Sequence, residues 1–122
     1  MKTVVIEGVE YVPKGTQSLV FAKPDKKGLT YCIVRTKDSG VFAGYFDRKN
    51  KDKNGTVFNA RRLWYWDGAN SLSELSVSGV SKPQNCKFPT EVLEVDLRDI
   101  IEVLPCSEKA QKSISEVKVW KQ

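Results

Sequence analysis

The residues best suited to chemistry in this sequence lie in one run, residues 59–66, which reads NARRLWYW. The run holds two adjacent arginines, two tryptophans and a tyrosine. A guanidinium pairs with phosphate through its planar fork. An aromatic ring stacks on a nucleobase, which is worth about 1–3 kcal/mol per base. The composition of the run therefore predicts a site for a nucleotide or an oligonucleotide.

The run falls at the end of the longest predicted strand, residues 56–66, in which side chains alternate between two faces. Alternation gives each face an arginine two to four residues from an aromatic ring. An alternative is that Trp64 and Trp66 are core residues, with Arg62 stacked over a ring at the rim. Two adjacent arginines cannot both face a core, so at least one is exposed or paired. One predicted face holds Phe58, Ala60, Arg62, Trp64 and Trp66, and the other holds Asn59, Arg61, Leu63 and Tyr65.

The strand leads directly into a predicted helix that begins at Ser71. Ser71 and Glu74 have the spacing of a capping box, and Gly79 is well placed to end the helix. Free N–H groups at such a helix start favour an anion, so a phosphate near Asn70 and Ser71 is one interpretation. The alternative is that the capping box already satisfies these donors and that Glu74 repels an anion. The candidate ligand-binding residues are therefore Arg61, Arg62, Trp64, Tyr65, Trp66, Asn70 and Ser71.

The sequence contains no histidine, which excludes several kinds of catalytic site. Ser-His-Asp and Cys-His pairs are absent, as is any His-ligated metal. There is no GxxxxGK[ST] or GxGxxG motif, so an ordinary nucleoside triphosphate or dinucleotide site is not expected. The three cysteines, Cys32, Cys86 and Cys106, lack a CxxC spacing and are predicted to be reduced, buried thiols. We expect a binding protein that uses no metal and no cofactor.

Length favours one domain, and the charge is compatible either with an anionic partner or with a solubilising excess of lysine. The 122 residues are predicted to form a single domain, 1–122, with a net charge of +5. The loop at residues 48–53 has four cations and one acid. Such a loop is either simply solvated or steers an anionic ligand toward the protein. The N-terminus does not resemble a signal peptide, and no apolar run is long enough for a membrane span.

Turn and capping signals predict an α+β fold, an antiparallel sheet of hairpins and a meander with two short helices. Gly44 is expected at a bulge or a close approach between strands. The helices are predicted to begin at Ser71 and at Ser107. Strands are predicted at residues 3–7, 11–12, 16–21, 29–35, 41–46, 56–66, 92–97, 100–104 and 117–120.

Four segments in order resemble a family of small phage and prophage proteins of unassigned function. They are NARRLWYWDGANSLSELSVSGV at residues 59–80, NCKF at 85–88, IIEVLPCSEKAQKSI at 100–114 and VKVW at 117–120. The resemblance implies a viral gene that acts in the bacterial cytoplasm, where small phage proteins often counter host defence. Among such proteins, the role expected here is that of the Thoeris anti-defence sponges, which sequester nucleotide-derived immune signals without turnover. By analogy with sponges, it also implies a homo-oligomer.

The leading hypothesis is therefore an anti-defence sponge that binds a small phosphorylated ligand of the cyclic ADP-ribose or cyclic oligonucleotide type. The second hypothesis is a protein-interaction inhibitor of a bacterial defence system, similar in role to an anti-CRISPR protein. The third is a small accessory protein that binds nucleic acid through the basic loop. An enzyme ranks last, because no catalytic set of residues emerges.

Overall fold

The computed structural model describes residues 4–6, 9–11 and 20–121. The elements are β1 (Val4–Ile6), β2 (Val9–Tyr11), β3 (Thr30–Thr36), β4 (Val41–Phe46), β5 (Gly55–Arg62), α1 (Leu72–Ser78), a 3-10 turn (Pro83–Asn85), β6 (Val92–Leu97), β7 (Ile100–Pro105) and α2 (Glu108–Glu116). Strands β1 and β2 form an antiparallel hairpin, and the other five strands form one antiparallel sheet. The predicted α+β class, with hairpins and two helices, is confirmed.

The five-stranded sheet is strongly curled, which its strand order shows. The order is β6-β5-β4-β3-β7, so β6 and β7 lie at opposite edges, yet only Arg98 and Asp99 connect them. A flat sheet would separate its edges by roughly 19 Å, whereas the link reaches roughly 10 Å. The edges must therefore converge here. The Ile100 N–H donates to the Lys53 carbonyl at 2.7 Å, which fastens β7 to the β4–β5 loop.

Curling divides the apolar residues between two cores. The inner core contains strand residues alone: Cys32, Val34, Phe42, Phe46, Val57, Ala60 and Leu97. The outer core lies between the other face of the sheet and the helices, and it includes Leu75 of α1 and Ile114 of α2. Both helices thus stabilise one face only, and the sheet encloses the other.

A bulge in β5 sets which side chains face each core. Ala43 pairs with Arg61, but Tyr45 pairs with Phe58, so β5 has one extra residue at this point. Asn59 takes up the distortion with a positive φ of 51°. The predicted alternation through residues 58–66 is therefore wrong on two counts. First, Phe58 pairs with Tyr45 and shares its face, which is the one covered by the helices, whereas Ala60 faces the inner core. Second, the strand ends at Arg62 rather than at residue 66.

Gly44 is the residue that permits the bulge, as the sequence predicted. A Cβ at this position would lie 2.6 Å from Val57 Cγ1 and 2.7 Å from the Phe58 carbonyl oxygen. We expect Gly44→Ala to lower the free energy of unfolding by about 2 kcal/mol, because backbone and core must both shift. Urea denaturation measures the loss. Gly28→Ala is the comparison: unlike Gly44, Gly28 has a positive φ of 79°, but no described atom lies within 4 Å of an added Cβ, so its replacement reports backbone strain without a clash. A smaller loss at position 44 than at position 28 would contradict the steric explanation.

The two helices begin where the capping signals place them. Ser71 Oγ accepts from the Glu74 N–H at 3.1 Å, and Gly79 ends α1 with a φ of 74°. Ser107 Oγ accepts from the Ala110 N–H at 2.9 Å at the start of α2. The predicted helix starts are confirmed.

Two predicted strands have other outcomes. Residues 117–120 form no strand, because this segment lies against the loop after the 3-10 turn, where the Trp120 N–H donates to the Phe88 carbonyl at 2.9 Å. Of the predicted strand at 16–21, residues 16–19 lie outside the described residues. Phe21 makes only an isolated bridge to Ser107.

The three cysteines are free and buried. Burial raises the pKa of the Cys32 thiol to about 11 and that of the Cys106 thiol to about 12. A raised pKa keeps each thiol neutral at pH 8, and the thiolate is the reactive form. We therefore expect these two thiols to resist Ellman's reagent at pH 8 until denaturant unfolds the chain, when all three cysteines react. Reaction of three thiols in native protein within seconds would contradict this packing.

Candidate functional site

Beyond the end of β5, the chain exposes two large aromatic side chains. Leu63 is buried, and its N–H donates to the Val41 carbonyl at 2.8 Å. The next two residues face solvent, with Trp64 58% exposed and Tyr65 51% exposed. Trp66 turns back and packs, half-buried, against the outer core. The sequence left open whether Trp64 and Trp66 are core residues or site residues. Trp64 is exposed, and Trp66 packs on the outer core.

Lys87 lies opposite this segment. The Lys87 N–H donates to the Tyr65 carbonyl at 2.7 Å, and the two residues form an isolated antiparallel bridge. Cys86 and Phe88, on either side, are buried, so the extended backbone directs Lys87 outward. The Phe88 carbonyl also holds the Trp120 N–H at 2.9 Å. Three separate segments are thereby brought together at one surface.

Trp64, Tyr65, Lys87 and Trp120 form a cluster that we call the aromatic platform. The ammonium nitrogen of Lys87 lies 5.5 Å, 5.8 Å and 5.6 Å from the ring centroids of Trp64, Tyr65 and Trp120. The rings of Trp64 and Trp120 pack with centroids 4.9 Å apart at an angle of 53°. Cation–π attraction of about 0.5–1 kcal/mol per exposed contact favours this position of the ammonium. The platform therefore offers aromatic faces and a positive charge together.

Sequence reasoning found Trp64 and Tyr65 but missed Lys87 and Trp120. Lys87 falls in no predicted helix or strand, and Trp120 falls in the predicted strand at 117–120, which does not form. The one available signal was the alternation of Cys86, Lys87 and Phe88, which is typical of an extended segment with one exposed face.

Arg61 lies inside the protein, away from any surface ligand. It is 4% exposed, and its guanidinium donates to the carbonyls of Ile114 at 2.9 Å, Phe88 at 3.2 Å and Pro89 at 3.2 Å. Burial lowers its pKa from the ordinary value. The geometry gives Arg61 a structural role, in which it ties α2 to the segment that carries Lys87. It therefore does not belong to the site.

Arg62 is exposed and directed toward the β3–β4 turn. Its guanidinium carbon lies 4.3 Å from the centroid of the Phe42 ring, and Nη1 donates to the Ser39 carbonyl. This is the stacking of Arg62 over a ring at the rim of a core, which was the alternative to ligand binding, and the ring is that of Phe42. Contact between Arg62 and a ligand phosphate stays a prediction.

The start of α1 has the arrangement that disfavours an anion. The Asn70 N–H donates to Glu74 Oε1 at 2.6 Å, while Ser71 Oγ accepts from the Glu74 N–H. These donors are already satisfied, and a carboxylate lies beside them. The geometry thus favours the capping role of Ser71 over phosphate binding at Asn70 and Ser71.

Among residues 20–121 and the β1–β2 hairpin, no group of three Asp, Glu, Cys or His side chains could hold a metal ion. None of the helices in this same part of the chain has the length and apolar character needed to cross a bilayer.

The fold and the platform define a small α+β protein with a curled antiparallel sheet and an exposed aromatic–lysine cluster. Residues 29–114, more than half of the chain, match the family described as "Domain of unknown function (DUF6948)", and the chain belongs to this family. The matched range includes Trp64, Tyr65 and Lys87, whereas Trp120 lies beyond its end. No curated protein matches the chain, and no solved structure matches it.

Proposed function

We propose that the protein binds a nucleotide-type ligand on the aromatic platform without turning it over. The observation that carries the proposal is the position of the Lys87 ammonium, 5.5–5.8 Å from three ring centroids at the surface. Stacking on an exposed ring contributes about 1–3 kcal/mol per base and tolerates any base. Trp64 and Tyr65, each more than half exposed, provide those faces.

Lys87 supplies the charge that a phosphate requires. An ammonium is a compact point charge with three donors, which suits a phosphate whose orientation is not fixed. The surrounding rings hold this ammonium in place before a ligand arrives, which reduces the side-chain entropy lost on binding. Lys87 therefore takes the phosphate-binding role that the sequence suggested for Arg61, while a contact of Arg62 with the phosphate stays a prediction.

The resemblance to small phage and prophage proteins suggests what such binding is for. A phage protein that retains a nucleotide-derived immune signal in the host cytoplasm acts as an anti-defence sponge. Cyclic ADP-ribose and cyclic oligonucleotides both carry a base and phosphate, the two groups that the platform addresses. In this role the protein binds its ligand tightly and catalyses no reaction. Sponges of this kind commonly assemble as homo-oligomers.

One observation favours the alternative of a protein-interaction inhibitor. Among the strands that the structure describes, β6 is an edge strand, and it exposes Leu93 by 83% and Val92 by 45%. Unpaired backbone groups beside apolar side chains suit pairing with another protein chain. A defence protein captured through this edge would make the chain an inhibitor by contact.

A thermal-shift screen tests the proposed function. Cyclic ADP-ribose, cyclic di-AMP and AMP are added separately to wild-type protein and to Lys87→Ala. We expect at least one ligand to raise the melting temperature of the wild type by several degrees and to have a much smaller effect on Lys87→Ala. The absence of a shift with every ligand at millimolar concentration would overturn the proposal. Capture of a defence protein that Leu93→Asp abolishes would support the alternative.

A further inference from the structure

We propose that a groove beside the aromatic platform holds a second base, so that the ligand contains at least two bases joined by phosphate. The inference rests on the proposed function and narrows its ligand class. A cyclic or linear oligonucleotide meets this requirement, whereas a nucleotide with a single base does not.

The groove has a volume of about 500 Å³ and lies between the 3-10 turn and residues 116–121. This volume falls within the roughly 300–1,000 Å³ typical of small-ligand sites. Trp120 lines the groove and also belongs to the platform. The groove therefore adjoins the platform at Trp120, and a ligand that stacked on Trp64 would have a second compartment on the other side of Trp120.

The lining of the groove suits a base and its phosphate. Pro83, Val119 and Trp120 provide apolar surface, and Val119 is 46% exposed. Lys118 and Lys121 also line the groove, against one acid, Glu116. Apolar and aromatic surface accompanied by lysines is the combination found where proteins bind single-stranded nucleic acid. With Lys87 on the platform, a phosphate between two bases would have cations on both sides.

A second depression extends the same path. It has a volume of about 440 Å³, shares Pro83 and Glu116 with the groove, and adds Lys109 and Lys112. A linear strand longer than two nucleotides would gain contacts there, but a cyclic dinucleotide would not. A gain in affinity with ligand length therefore distinguishes a linear oligonucleotide from a cyclic dinucleotide.

Isothermal titration calorimetry with matched probes tests the inference. The probes are thymidine monophosphate, the dinucleoside phosphate TpT, tetrathymidylate and cyclic di-AMP, the last compared with AMP. TpT has two bases but less negative charge than thymidine monophosphate, so a gain in its affinity cannot come from charge. We expect a two-base ligand to bind about tenfold tighter, or more, than its one-base counterpart.

Variants in the groove test whether the higher affinity of two-base ligands comes from contacts there. Val119→Asp and Lys121→Ala are expected to remove most of the advantage of the two-base ligand and to leave one-base binding unchanged. Lys26→Ala, an exposed lysine in the turn before β3, is the control for charge and should leave all affinities unchanged. A higher affinity for tetrathymidylate than for TpT would identify the ligand as a linear strand. A higher affinity for cyclic di-AMP than for the linear probes would identify it as cyclic. Equal affinity for one and two bases would overturn the inference while the proposed function stood. Failure of every probe and of cyclic ADP-ribose to bind would overturn both.

Discussion

Replacement of Arg61 with alanine is expected to lower the free energy of unfolding by about 3–5 kcal/mol. The guanidinium donates to three backbone carbonyls, those of Phe88, Pro89 and Ile114. Its removal leaves these acceptors without their donor in a site that is almost closed to solvent, and each unsatisfied buried group costs about 1–3 kcal/mol. A single water in the vacated space has two hydrogens and would replace at most two of the three donors.

Urea denaturation of Arg61→Ala measures this loss, with Arg62→Ala as the matched control. Arg62 is exposed and makes one hydrogen bond to a carbonyl, so its replacement should cost about 1 kcal/mol or less. Arg61→Lys keeps the charge but not the forked donor geometry, so its loss should fall between the two. Similar stabilities for Arg61→Ala and Arg62→Ala would show that Arg61 does not connect α2 to the segment that carries Lys87.

The double replacement of Trp64 and Tyr65 with alanine is expected to weaken nucleotide binding by about 3 kcal/mol, or more than a hundredfold. The change removes two aromatic faces, each worth about 1–3 kcal/mol to a stacked base. Both side chains are more than half exposed, so their loss should change the free energy of unfolding only slightly. Calorimetric titration of the variant with the best ligand from the thermal-shift screen measures the effect.

Phe21→Ala is the control for this double variant. Phe21 is 69% exposed and bridges to Ser107 at the start of α2, so it supplies an exposed aromatic ring outside the platform. Its removal should leave binding unchanged. If both variants bound as tightly as the wild type, the ligand would lie elsewhere on the protein.

Most of the fold could be predicted because its signals are local. The strand Val41–Phe46 and both helix caps depend on residues within a few positions of one another, and their predicted positions are confirmed. The faces of the β5 side chains could not be predicted, because the bulge at Asn59 depends on the close approach of Gly44 from the neighbouring strand. Gly44 was expected to mark such a feature, but the sequence does not show which residue opposite would bulge.

The site was harder to predict for the same reason. Trp64 and Tyr65 are adjacent to the strand signal, whereas Lys87 and Trp120 join them only through tertiary contacts. The sequence pattern could not show which of the two adjacent arginines is buried. Sequence alone required that at least one of Arg61 and Arg62 be exposed or paired. Only the bulge, which sets the face of each, shows that Arg61 is the buried one.

The most direct test of nucleotide binding at the aromatic platform uses the indole N–H signals of the three tryptophans in a two-dimensional ¹⁵N–¹H spectrum. Single substitutions assign the signals, and cyclic di-AMP and AMP are the titrants. We expect the signals of Trp64 and Trp120 to shift with saturation, because a stacked base alters the field at each ring. The signal of Trp66, which packs on the outer core, should move little. Saturable shifts confined to other residues, or no shift at millimolar ligand, would contradict a nucleotide site on this platform.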